Sequence, residues 1–162
     1  MTASKVRTAL VCALIAVAGC APSSAKPGTS VVAAKLTPLD IVTANRNKTV
    51  HFHVEVARTD AEQERGLMFR TGLPDHGGMI FPMASPRWAV FWMKNTLIPL
   101  DMIFIRADGH IARIAANTTP QSLDQVSSGE PVIAVLEIIG GGAEKDGLQA
   151  GDLVRWPGGP AS

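Results

Sequence analysis

From Val50 to Trp156 the chain is a succession of short apolar runs cut by Gly, Pro and Asp, with no long helical stretch between them. A chain punctuated in this way buries its apolar side chains most readily in a sheet that packs on itself. The clearest run is Val50-His51-Phe52-His53-Val54-Glu55-Val56, where apolar residues take every second position and line one face of a half-buried strand. Met79-Ile80-Phe81 resumes a strand after the Leu73 to Gly78 turn. Trp88 to Met93 and Leu100 to Arg106 read as two further strands joined by the Lys94 to Pro99 loop. Ala107-Asp108-Gly109-His110 is a hairpin signal into a strand at Ile111 to Ala115, because Asp-Gly supplies the positive backbone angles of a tight turn. Together these segments predict an antiparallel meander. Val132 to Ile139 reads as a buried strand stopped by Gly140-Gly141-Gly142, and Leu153 to Trp156 as a short final one. Thr59-Asp60-Ala61-Glu62 offers a helix N-cap with a Glu three residues on, which predicts a short helix over Glu62 to Met68. Gly66 keeps that helix short or lets another chain segment approach. The expected fold is mainly β, a compact antiparallel β barrel or sandwich with one or two short helices. An α+β arrangement is the alternative.

Of 162 residues, 46% are hydrophobic and 18% charged, which suits one domain with appendages. Both cysteines, Cys12 and Cys20, lie near the start, so the folded part has no thiol nucleophile, disulfide or thiolate ligand. Lys5 and Arg7 precede an apolar run from Ala9 to Ala18 that is too short to span a bilayer of roughly 30 Å and reads as an export signal. Val17-Ala18-Gly19-Cys20 resembles the bacterial lipobox, which makes Cys20 the expected lipidated N-terminus. Ordinary cleavage after Ser23-Ser24-Ala25 is the alternative. The resemblance implies an exported protein on the periplasmic face of a membrane, and Ala21 after the cysteine favours the outer membrane. The expected organisation is a signal over residues 1–19, a flexible tether over 20–48, one globular domain over 49–156 and a tail over 157–162. Val31 to Leu39 is the one part of the tether able to form an edge strand. Without Lys5 and Arg7 the formal charge falls from +1 to −1, and that argues against a nucleic-acid partner.

The blocks Glu62-Gln63-Glu64-Arg65-Gly66-Leu67-Met68-Phe69-Arg70, Met79-Ile80-Phe81, Phe91 to Met102, Val135-Leu136-Glu137 and Gly151-Asp152 occur in order along the chain. Together they resemble the prokaryotic domain of unknown function family 192, over about Val50 to Arg155. The resemblance implies a small, mostly β domain, often exported, and no assigned activity.

Phe91 to Met102 sets polar side chains between two apolar runs, and its candidates are Trp92, Lys94, Asn95, Thr96 and Asp101. On a strand, Trp92 and Lys94 share a face, so an indole and an ammonium together suit a sugar, a carboxylate or another small polar ligand. The competing reading is a hairpin mouth, with Asp101 accepting loop amides or pairing with Lys94 and with Asn95 and Thr96 closing the turn. Glu62 and Arg65 are spaced to pair on the helix, while Arg70 follows it and can meet terminal carbonyls or an anion. If Arg65 and Arg70 converge with Lys94, they form an anion clamp. His51, His53 and Glu55 alternate on one strand face, but a metal would need His76 or His110 as well, so no metal and no cofactor are expected. Glu137 interrupts an apolar run and needs a partner, and with Asp101 it would form an acid and base pair.

These observations favour a lipid-anchored envelope domain that binds a small polar or anionic ligand, such as a saccharide or cell-wall fragment, over an enzyme. A hydrolase or lyase acting on envelope polymer through Asp101 and Glu137 is one alternative. A protein-interaction module at the membrane surface is another. No Gly-x-Ser-x-Gly elbow, phosphate loop, dinucleotide fingerprint or His-Glu-x-x-His motif occurs in the chain.

Overall fold

The computed structural model describes residues 35–45 and 47–160, so the export signal, Cys20 and most of the expected tether lie outside it. The described residues form seven strands: β1 (Thr37–Val42), β2 (Thr49–Val56), β3 (Gly77–Phe91), β4 (Leu100–Ile105), β5 (Ile111–Thr118), β6 (Val126–Ile139) and β7 (Leu153–Arg155). Helix α1 (Asp60–Arg65) connects β2 to β3, and α2 (Gly142–Asp146) lies between β6 and β7. All seven strands belong to one sheet in the order β5-β4-β6-β3-β2-β1-β7, curled into a half-barrel. The expectation of a mainly β fold with two short helices is met. The edges of the curled sheet meet at one end, where His110 and Leu153 form a bridge. There Ile111 N donates to Asp152 O and Val154 N to Gly109 O, each at 2.9 Å.

Three expectations are corrected. The domain starts before residue 49, because β1 pairs with β2 on one side and β7 on the other, burying Leu39 and Ile41. Their alternation is short and follows the Pro- and Ser-containing stretch from Pro22 to Ser30, which makes it resemble a tether. The sheet is not a sequential meander either. Strand β6 lies between β3 and β4, and Val135 is the register partner of both Phe81 and Phe104. Finally, β2 and β3 are parallel, from His53 opposite Gly77 to Val56 opposite Ile80, and the crossover between them carries α1.

Two apolar clusters occupy the two faces of the central strands. Inside the curl, Ile103, Ile105, Ala134, Leu136 and Ile138 pack with Phe52, Val54 and Ile111. On the outer face, Leu100, Met102, Phe104 and Val135 pack with Phe81, Ala89 and Met93. Strand β4 is therefore buried along its whole length. The outer face is covered because β3 doubles back on itself. Phe81 and Phe91 are ten residues apart in one strand, yet their rings meet edge to face with centroids at 5.2 Å. A straight strand would hold them roughly 33 Å apart. Register breaks between Pro82 and Arg87 and between Trp88 and Val90 provide the bends.

Helix α1 begins with the expected capping box: Glu62 N donates to the Thr59 hydroxyl, and Thr59 N donates to Glu62 Oε2. It ends at Gly66, whose φ is +45° and whose missing Cβ leaves room for Phe81 Cζ, 3.3 Å from where that atom would sit. The chain leaving α1 is thereby laid against Phe81 in the first half of β3.

Candidate functional site

Between the doubled-back end of β3 and the chain around α1 lies a cleft of about 700 Å³. That volume is within the range of small-molecule sites, roughly 300–1,000 Å³. One wall is the run Gln63 to Met68, and another is Arg87 to Trp92. Ala89 is buried while Trp88 and Val90 are exposed, so side chains from both faces of this stretch border one cavity. This arrangement sets the cleft against the edge of the strand.

The third wall is the turn Lys94 to Thr96. Two segments are stitched together here: Phe69 N donates to Asn95 O at 2.9 Å, and the Asn95 side-chain amide reaches Met68 Sδ at 3.8 Å. Asn95 takes a φ of +57°, and Thr96 N donates to Met93 O at 3.0 Å to close the turn. Asn95 and Thr96 thus line the cleft while their polar groups mainly hold the turn. Trp92 and Lys94 do share a face, and Lys94 Nζ stands 5.0 Å from the Trp92 ring centroid.

Three cations border the cleft: Arg65, Arg87 and Lys94. None of them forms an ion pair among the described residues, although the Glu64 carboxylate shares the cleft. Trp88 and Trp92 are 62% and 49% exposed, which leaves large aromatic surfaces beside those cations.

Glu137 also lines the cleft and is 5% exposed. It alternates with Val135 on the outer face of β6, where its register partners are Met79 on β3 and Met102 on β4. Its carboxyl group forms no hydrogen bond or ion pair within the described residues. Burial alone pushes its pKa up to about 8, so the group is mostly protonated at neutral pH.

The remaining sequence candidates sit elsewhere. Asp101 alternates with Ile103 on the inner face and is fully buried. Its Oδ1 accepts from Asn117 N at 2.8 Å and Gly141 N at 3.0 Å, and its Oδ2 accepts from Ala143 N at 2.8 Å. It therefore ties the end of β5 to the start of α2 and does not meet Glu137. Arg70 leaves the cleft to grip Glu55 through its two terminal guanidinium nitrogens, Nη1 and Nη2, at 2.6 and 2.8 Å, so Arg65, Arg70 and Lys94 do not form one clamp. Glu62 does not pair with Arg65. The backbone N–H groups of Thr59 and Arg58 engage its carboxyl and hold it below the usual carboxylate range. His51 pairs with Asp40 at 2.8 Å, and Glu55 belongs to Arg70. Among the described residues no three His, Cys, Asp or Glu side chains gather as metal ligands.

Arg87 and Trp88 are cleft residues that sequence reasoning passed over. The available signal was Trp88, Val90 and Trp92 at every second position, a stripe of bulky side chains whose alternate partners Ala89 and Phe91 pack inward.

A curled β half-barrel, with an aromatic and cationic cleft against a doubled-back strand, is the class of domain these features define. The chain belongs to the domain of unknown function family 192: the family model described as DUF192, uncharacterized ACR, matches residues 36–156. That span includes β1, in agreement with the earlier domain start. Two crystal structures have similar folds. One, from Sinorhizobium meliloti, is of a protein proposed to be a transcription regulator. It is 36% identical, with a TM-score of 0.72, and the match covers 75% of this chain and 93% of that one. The other, a protein of unknown function from Novosphingobium aromaticivorans, is 43% identical with a TM-score of 0.73, covering 78% and 89%. No curated protein matches the chain.

Proposed function

We propose that this domain binds a small anionic ligand in the cleft bordered by Arg65, Arg87 and Lys94, and that an acidic saccharide is the class it fits best. The observation that carries this reading is the convergence of three cations without acidic partners on one cavity beside two exposed tryptophans. Guanidinium and ammonium groups supply charge-assisted hydrogen bonds to a carboxylate. An indole face takes the apolar side of a sugar ring. Trigalacturonate and maltotriose, titrated calorimetrically into the protein, test this: the acidic sugar should bind and the neutral one should not. Equal heats for both, or no heat from either, would remove the proposal.

The domain works, on this reading, from the periplasmic face of a membrane to which lipid on Cys20 holds it. The support is the sequence alone, in the basic start, apolar run and Val17-Ala18-Gly19-Cys20 block. Mass spectrometry of the mature N-terminus should find acylated Cys20, and an unmodified start at Lys26 would contradict it.

A protein-interaction role at the membrane surface has one observation in its favour. Phe69, Trp88, Val90, Trp92 and Leu97 are large apolar residues left exposed on the segments around the cleft. Binding of the acidic sugar with no partner-dependent change in affinity would count against it.

A further inference from the structure

We infer that Glu137 is a specificity-determining residue of the cleft, its buried carboxyl group hydrogen-bonding an oxygen of an acidic saccharide whose carboxylate lies among Arg65, Arg87 and Lys94. This inference rests on the ligand-binding reading and adds the polarity of the cleft floor to it.

The geometry begins with β6. Residues Ala134, Leu136 and Ile138 point into the curl, so Val135 and Glu137 point outward, beneath the doubled-back end of β3. A carboxyl group here replaces the apolar side chain that every neighbouring position uses. Its flanking register partners, Met79 and Met102, offer thioethers and methylenes in place of hydrogen-bond donors. Buried polar groups are almost always hydrogen-bonded, and one without a partner is costly. Here the group lines a cavity, so its partner can arrive from outside the chain.

The surroundings decide which partner. Facing the cleft are Glu64 and Arg65 from the α1 wall, Arg87 from β3 and Lys94 from the turn, while β4 contributes only Leu100, Met102 and Phe104 on this side. A cationic ligand would suit an ionised Glu137 but would enter among three positive charges against a single exposed carboxylate. An anion is favoured there, and an anion nearby disfavours ionisation of Glu137 further. Two acidic groups then coexist without repulsion, because one keeps its proton and donates it to the hydrogen bond. The acceptor is a hydroxyl, ring or carboxylate oxygen, and a saccharide carrying a carboxylate supplies acceptors at both depths.

The test is the affinity of the protein for trigalacturonate from pH 6 to pH 10 at constant ionic strength, for wild type, Glu137→Gln and Glu137→Leu. Wild-type affinity should hold to about pH 8 and then fall about tenfold per pH unit, following the fraction of protonated Glu137. Glu137→Leu, which has no donor, should bind at least about tenfold more weakly at pH 6. Glu137→Gln keeps a donor that does not ionise, so it should recover part of that loss and show no fall between pH 8 and pH 9. A flat wild-type profile to pH 9.5, the same fall in Glu137→Gln, or full affinity in Glu137→Leu would each overturn the inference while leaving ligand binding intact. Absence of binding by wild type at pH 6 would instead remove the ligand-binding reading, and this inference with it. If Glu137→Leu fails to fold, the comparison of wild type with Glu137→Gln decides alone.

Discussion

Asp101 and Glu137 occupy adjacent hydrogen-bonded strands, Asp101 opposite Ile138 and Met102 opposite Glu137, yet the two carboxyl groups point to opposite faces of the sheet. One residue of offset in a pairing that alternates every residue separates a structural acid from a cleft acid. The inner carboxylate is surrounded by backbone donors, and the outer carboxyl meets only apolar neighbours and the cleft.

Asp101→Ala should destabilise the domain by about 3 kcal/mol or more, because it leaves three N–H groups at the β5 and α2 junction without their acceptor. Asp101→Asn keeps part of the pattern and should cost less. Urea denaturation measures both. A loss of ligand affinity with unchanged stability would contradict the structural role.

The raised pKa of Glu137 makes stability depend on pH. The folded state keeps a proton that the unfolded chain, with its carboxyl near 4.5, releases between there and about 8. This contribution is fully present below pH 4.5 and is lost as pH rises through that window, by up to about 1.4 kcal/mol per pH unit, levelling above 8. Glu137→Gln removes the slope. Urea midpoints of the two proteins should converge from pH 5 to pH 8.5 if the variant starts less stable, or diverge in its favour if it starts more stable. Parallel profiles would show that Glu137 ionises normally in the fold.

Arg65→Ala, Arg87→Ala and Lys94→Ala should each weaken trigalacturonate binding by about tenfold and reduce its salt dependence, as expected for the loss of one charge-assisted hydrogen bond. Trp92→Ala removes both a stacking face and the partner that holds Lys94, so its effect should exceed that of Lys94→Ala. Arg70→Ala should leave affinity unchanged, because its guanidinium is engaged by Glu55 outside the cleft. Titration calorimetry at two salt concentrations separates these outcomes.

Gly78→Ala should destabilise the sheet by about 2 kcal/mol or more. A Cβ at this position would overlap the Glu137 carbonyl oxygen and lie 3.1 Å from Ile138 Cγ2, forcing β3 away from β6 beneath the cleft. Thermal denaturation should detect the loss. A variant as stable as wild type would mean that the two strands separate there without penalty.

Local signals are legible in this sequence and distant pairings are not. The capping box at Thr59 and Glu62, the alternation of Val50, Phe52 and Val54, and the turn at Asp108-Gly109 all act within a few residues, and the structure contains each of them, although in the turn only Gly109 takes a positive φ, +86°, where a type I′ turn needs it at both residues. That Glu137 would be buried was legible from its apolar neighbours. The insertion of β6 between β3 and β4 was not, because the partners of Val135 lie 54 and 31 residues away in the sequence. The doubling back of β3 was only half legible: Pro82 and Pro86 signal a break in the strand, but not that Phe81 and Phe91 on its two sides touch. This bend is what turns Trp88 and Arg87 from strand residues into cleft residues. Asp101 is ambiguous for a related reason: a short acid between apolar residues looks the same whether it awaits a ligand or binds backbone amides from the end of β5 and the start of α2.

The first and last strands of the sheet are neighbours, with β7 lying against β1 and reaching across to the turn before β5. A chain that emerges from its N-terminus therefore holds an open-edged sheet until Leu153 to Arg155 are released. Until then β1 exposes an unpaired edge suited to another strand. Any truncation that removes Leu153 to Arg155 should leave that edge available for self-association, so β7 acts as a latch on the curled sheet.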